Sequence, residues 1–160
     1  MIHETTYTKE WIVKKSTDYK RGKKKADPTL IEKVTKAFHL LEELAKSDLE
    51  FIFKGGTSLL LLLNQMHRFS IDIDIIIEKQ KHDVDMDNIL TEVVEKSDIF
   101  TCFEESVRSG NNEVPKAHYK VFYTSSLNED ENYILLDILY EKSHYVDVIE
   151  KSINLSLIHI

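Results

Sequence analysis

Apolar residues recur at helical spacing through Leu30, Ile31, Val34, Ala37, Phe38, Leu41, Leu44 and Ala45, in a segment that opens on Asp27-Pro28. An aspartate suits an N-cap because its carboxylate accepts from unpaired N–H groups, and proline loses no hydrogen bond at the first helical position. A helix over Pro28–Lys46 is predicted, ended near Ser47-Asp48. Phe51-Ile52-Phe53 then reads as a short apolar strand, stopped by Gly55-Gly56. The leucine run within 57–66 predicts a buried helix that packs on several sides.

Residues 71–77 alternate isoleucine with aspartate before closing on isoleucines. β-branched residues at that density make a strand, with Asp72 and Asp74 on the face opposite Ile71, Ile73 and Ile75. Residues 84–97 predict an amphipathic helix with Ile89, Leu90, Val93 and Val94 inward. Three further strands are expected over 100–107, 117–124 and 133–140, parted by polar loops, and a last helix is expected to begin at 146–154. This order predicts an α+β fold, a mixed β-sheet with flanking helices.

The 160 residues suffice for one domain. We divide them into an N-terminal segment with a basic arm (1–26), a core (27–145) and the start of a C-terminal helical part (146–160). With 42% hydrophobic and 31% charged residues, neither a disordered tail nor a membrane protein is expected. The longest apolar run, 59–63, falls far short of the ~20 residues that span a bilayer. The first residues are too polar for a signal peptide, so the expected location is the cytoplasm.

A single cysteine, Cys102, excludes an internal disulfide and a thiolate zinc cage, and reads as a small buried hydrophobe. None of the histidine pairs has the i, i+4 spacing of a helical metal site, which argues against histidine-bound metal. The net charge is −7, yet Lys14, Lys15, Lys20, Arg21, Lys23, Lys24 and Lys25 face only Asp18 within their stretch. That run reads as a solvated linker or as a short arm that steers a phosphate backbone. The acidic run 83–88 lacks the glycine and the final glutamate of a calcium loop, and reads better as a helix N-terminus.

The candidate chemistry lies in two motifs. Lys54-Gly55-Gly56-Thr57-Ser58 joins a strand to a helix. Glycine lets backbone approach a ligand, a helix start offers N–H groups, and Thr57 and Ser58 add hydroxyls, a set that suits a triphosphate or, more plainly, a chain reversal. Arg68-Phe69-Ser70 then leads to Asp72-Ile73-Asp74, whose carboxylates share a strand face about 2 × 3.3 Å apart. Mg²⁺, or Mn²⁺ in its place, takes such oxygens and keeps positions for water and phosphate. Asp137 is a lone acid in an apolar strand, either a further metal ligand and proton acceptor or a solvent-facing residue. Arg68 could pair with Asp72, Asp74 or a phosphate.

Together, residues 53–59, Arg68-Phe69-Ser70 and Asp72-Ile73-Asp74 resemble the nucleotidyltransferases of the AbiEii/AbiGii toxin group, within the DNA polymerase β-like superfamily. The resemblance spans roughly 28–140. It implies a nucleotidyltransferase-like mixed sheet, Gly55, Gly56, Thr57 and Ser58 on the phosphates, and Mg²⁺ on Asp72 and Asp74, with Asp137 matching the third acid by position. Lys54, Arg68 and Ser70 complete the nucleotide-binding candidates. It also implies transfer of an NMP from an NTP to an acceptor hydroxyl, with transfer RNA among the family's acceptors. A toxin–antitoxin or phage-defence role, with a cognate antitoxin, would follow. Family members run on into a helical C-terminal part, whereas this chain stops at Ile160, with residues 154–160 reading as an arbitrary end. Two other readings remain: a glycosyltransferase using Asp-x-Asp for a metal–diphosphate, and a non-catalytic module binding RNA or antitoxin.

Overall fold

A computed structural model describes residues 2, 4–18, 20–21, 24–62, 70–106 and 115–150. In chain order it shows a 3-10 turn (Glu4–Tyr7), helix α1 (Lys9–Asp18), a small hairpin of β1 (Lys20–Arg21) and β2 (Lys24–Lys25), and helix α2 (Pro28–Lys46). There follow β3 (Ile52–Lys54), α3 (Gly55–Leu62), β4 (Ile73–Ile77), a second 3-10 turn (Lys81–Asp83) and α4 (Met86–Lys96). Strands β5 (Phe100–Glu105), β6 (Lys116–Thr124) and β7 (Glu131–Tyr140) complete the described elements. The main sheet has the order β3-β4-β7-β6-β5. Only the β4–β7 pairing is parallel, so the sheet is mixed, as expected.

The predicted caps hold. Asp27 accepts from the Thr29 N–H at 2.9 Å, with Pro28 behind it, and starts α2 at the expected residue. Asp85 accepts from the Asn88 N–H at 3.1 Å, so the acidic run does open a helix. Period-two alternation sorts the strands into two faces: Ile73, Ile75 and Ile77 of β4, Leu136, Ile138 and Tyr140 of β7, and Ala117, Tyr119, Val121 and Tyr123 of β6 all face the core. Each fully buried isoleucine or leucine there contributes roughly 1.5–3 kcal/mol.

Several expectations need correction. The basic run, expected as a solvated linker or arm, begins inside helix α1, where Ser16 is buried. Ile12 of α1 is fully buried, the Ile2 N–H donates to Glu42 Oε2 at 2.6 Å, and the Tyr7 hydroxyl meets His39 Nδ1 at 2.6 Å. The N-terminal segment covers a side of α2 that the sheet does not, which is why α2 buries Lys36 and Glu42 as well as its apolar stripe. Helix α3 buries only one side: Leu60 and Leu61 are inside, Leu59 and Leu62 half-exposed. Cys102 is exposed, because it falls on the outward register of an edge strand. The expected helix does not begin at Val146, since 146–150 are not helical and 151–154 lie outside the described residues.

Candidate active site

The sheet register decides the site. Antiparallel β3 places Lys54 opposite Asp74, parallel β7 places Asp137 on the other side of Asp74, and antiparallel β6 places His118 opposite Asp137. Cross-strand partners point to the same side, so Lys54, Asp74, Asp137 and His118 form one row across four strands. Adjacent strands lie ~4.8 Å apart, which puts the two carboxylates side by side. The row lies on the face away from Ile73, Ile75, Leu136 and Ile138. Asp72 sits just before β4, exposed, so the strand begins one residue after the first aspartate.

The double glycine closes over this row. Gly55 has φ +78°, a left-handed conformation that turns β3 into α3 and that favours glycine. A Cβ on Gly55 would come within 2.9 Å of Asp74 Cγ, and one on Gly56 within 3.1 Å of Ser70 Oγ. The backbone therefore lies directly against Asp74 and Ser70, and at Gly55 a larger residue would have to displace the Asp74 side chain. Thr57 is fully buried, and its hydroxyl donates to the Asp72 carbonyl at 2.6 Å. Its side chain ties the bend to the aspartate strand instead of facing a ligand, which corrects the expected phosphate contact of that hydroxyl. Ser58 donates to the Gly55 carbonyl at 2.7 Å and remains at the surface of the bend. Arg68, the other predicted ligand, lies outside the described residues.

Charge is concentrated unfavourably here. Burial pushes the Asp74 carboxyl above its ordinary range; Lys54 opposes that shift, and the neighbouring Asp137 and Asp72 add to it. Among the described residues, no three of His, Cys, Asp and Glu are close enough to enclose a metal ion. Magnesium does not need such a cage. It commonly binds through one or two carboxylates with substrate phosphates and water supplying the rest. The oxygen-rich, mutually repelling set of Asp74, Asp137 and Asp72 fits that donor chemistry.

The sequence did not single out His118. Its Nδ1 meets Asp137 Oδ1 at 2.6 Å, with side chains 19% and 26% exposed. The outward alternation of β6 was visible, but which outward residue meets Asp137 depends on the β6–β7 register, which no motif announces. A cavity of about 870 Å³ adjoins the bend, walled by Lys54, Gly55 and Ser58 on one side and by Phe51, Leu62 and Val148 among others.

A family model described as nucleotidyl transferase AbiEii toxin, type IV TA system, matches residues 39–158, three quarters of the chain. The chain belongs to this AbiEii family. The AbiEii assignment bears out the expected family and fold and gives no support to the glycosyltransferase alternative. Two solved structures are similar. One, a candidate nucleotidyltransferase from H. pylori, is 25% identical over 74% of this chain and 49% of that one, with a TM-score of 0.48. The other, JHP933 from Helicobacter pylori, is 24% identical over 74% of this chain and 47% of that one, with a TM-score of 0.49. The AbiEii chain thus spans about half the length of these two proteins. No curated protein matches it. Among its described residues, no helix is long and apolar enough to cross a membrane.

Proposed function

We propose that this site transfers a nucleoside monophosphate from an NTP to an acceptor hydroxyl, as the nucleotidyl-transfer part of a toxin. The observation that carries the reading is the pairing of Asp74 with Asp137 on neighbouring strands, directly beneath the Gly55 bend.

In this reading the triphosphate lies along the start of α3, where the backbone N–H groups of the bend meet it and the Ser58 hydroxyl turns to it from the Gly55 carbonyl. Lys54, at the end of the row, balances phosphate charge. Ser70 abuts Gly56 and braces the bend. Asp74 and Asp137 would hold Mg²⁺ or Mn²⁺, with Asp72 adding negative charge beside them and nucleotide phosphates and water supplying the remaining positions; the ion would stabilise the negative charge on the leaving pyrophosphate. Asp137 is also placed to accept the proton of the attacking hydroxyl. Transfer RNA is the proposed acceptor and a cognate antitoxin the proposed partner, in a cytoplasmic toxin–antitoxin or phage-defence pair.

The test is incubation with Mg²⁺, each α-³²P-labelled NTP and total transfer RNA. Wild type should label the RNA with at least one nucleotide, and Asp72→Asn should not. Absence of both nucleotide binding and labelling in the wild type rejects the proposal.

A further inference from the structure

The contact between His118 and Asp137 has a meaning of its own. An ionised carboxylate only accepts hydrogen bonds, so the 2.6 Å approach of His118 Nδ1 to Asp137 Oδ1 puts the hydrogen on Nδ1. The backbone that carries the imidazole is itself fixed, because β6 and β7 hold 118 and 137 in register along a nine-pair antiparallel ladder. Its outward neighbour on the same strand, Lys120, lies opposite Leu135 and pairs with Glu104 at 2.8 Å. A terminal carboxylate torsion is otherwise broad and roughly two-fold. Holding one oxygen from the β6 side removes that freedom. The row then has a nitrogen group at each end, Lys54 and His118, with the two acids between them.

We propose that His118 is a positioning residue, whose Nδ1–H locks the Asp137 carboxylate in the rotation it presents beside Asp74 for a divalent cation. This role rests on the nucleotidyl-transfer reading of the same site. Groups that orient metal-binding side chains typically change metal affinity by about 10–100-fold when removed. His118 therefore acts on Asp137 and not on the substrate.

The probe is Mn²⁺ alone, titrated into the full chain without nucleotide and followed by its EPR signal. His118→Ala should weaken binding about tenfold or more. His118→Asn, whose amide nitrogen occupies the place of Nδ1, should bind close to wild type and shows that the variants fold. A second, metal-free readout is the ¹⁵N side-chain spectrum of His118, which should show the Nδ1–H tautomer in wild type and lose that preference in Asp137→Ala. Equal affinity in wild type and His118→Ala overturns the role, as does His118→Asn binding as weakly as His118→Ala. A wild type that shows the Nδ1–H tautomer but binds no Mn²⁺, either alone or with an NTP present, overturns the proposed function beneath it, and this role with it.

Discussion

The two faces of the central sheet are built by the same strands from alternate residues, yet they obey opposite rules. On the inward face Ile73, Ile75, Leu136 and Ile138 are each no more than 2% exposed and satisfy only packing. On the outward face the intervening positions carry Lys54, Asp74, Asp137 and His118, two like charges on adjacent strands with Asp72 close by. Like charges directly opposite each other destabilise a sheet. Stability therefore accounts for the first face and not for the second, and the second is where function has to be sought.

The largest expected effect is on that outward face. Asp74→Asn or Asp137→Asn should cut nucleotide transfer by on the order of 10³-fold, the loss of several kcal/mol of charge stabilisation. Stability should move the other way for Asp74→Asn. A carboxyl raised by burial and by like charges binds more protons folded than unfolded, so its charge detracts from stability as pH rises through its titration. The thermal midpoint of Asp74→Asn at neutral pH should therefore not fall below that of wild type; a clear fall would place Asp74 among the structural residues.

Ile75→Ala, one residue along on the inward face, should cost about 2–5 kcal/mol in denaturant unfolding. Its activity per folded molecule should stay near wild type. Gly55→Ala stands between the two faces. The positive φ and the collision with Asp74 should cost roughly 1–3 kcal/mol, and transfer should fall with it because Asp74 must move. Gly56→Ala, with only the Ser70 hydroxyl to displace, should be milder in both assays.

A last effect, visible only as a pH dependence, concerns a charge on the helical side. Burial pushes Lys36 down to about 8, against the opposing pull of Glu32, while its ammonium lies 4.7 Å from the Tyr7 ring and 5.7 Å from that of Tyr123. Its folded value lies below the unfolded one, so between pH 8 and about 10 the unfolded chain binds more protons and stability rises with pH. The slope should approach ~1.4 kcal/mol per pH unit and disappear in Lys36→Met, read by chemical denaturation across that range.

The sequence made much of this legible because local chemistry decided it. Asp27-Pro28 fixed the start of α2, alternation assigned the inward face of β4, and Gly55-Gly56 followed by Asp72 and Asp74 carried the family resemblance. What escaped depended on tertiary partners. The N-terminal helix α1 has a weak apolar pattern and is held by α2, so the basic residues around it hid an element that buries Ile12. Thr57 looked like a ligand because a hydroxyl after two glycines suits phosphate, but the Asp72 carbonyl claims it. His118 was invisible for the same reason that Asp137 was only a positional guess: both depend on strand register set by β6, β7 and the parallel β4.

The pairing of Asp74 with Asp137 as a cation and nucleotide site is tested most directly by an anomalous-difference map of crystals grown with Mn²⁺ and an NTP analogue that cannot be cleaved at the α-phosphate. A manganese peak within coordination distance of both the Asp74 and Asp137 carboxylates, with the triphosphate along Gly55 and Gly56, is the predicted result. A manganese–triphosphate complex bound elsewhere on the chain, with those two carboxylates untouched, would contradict it.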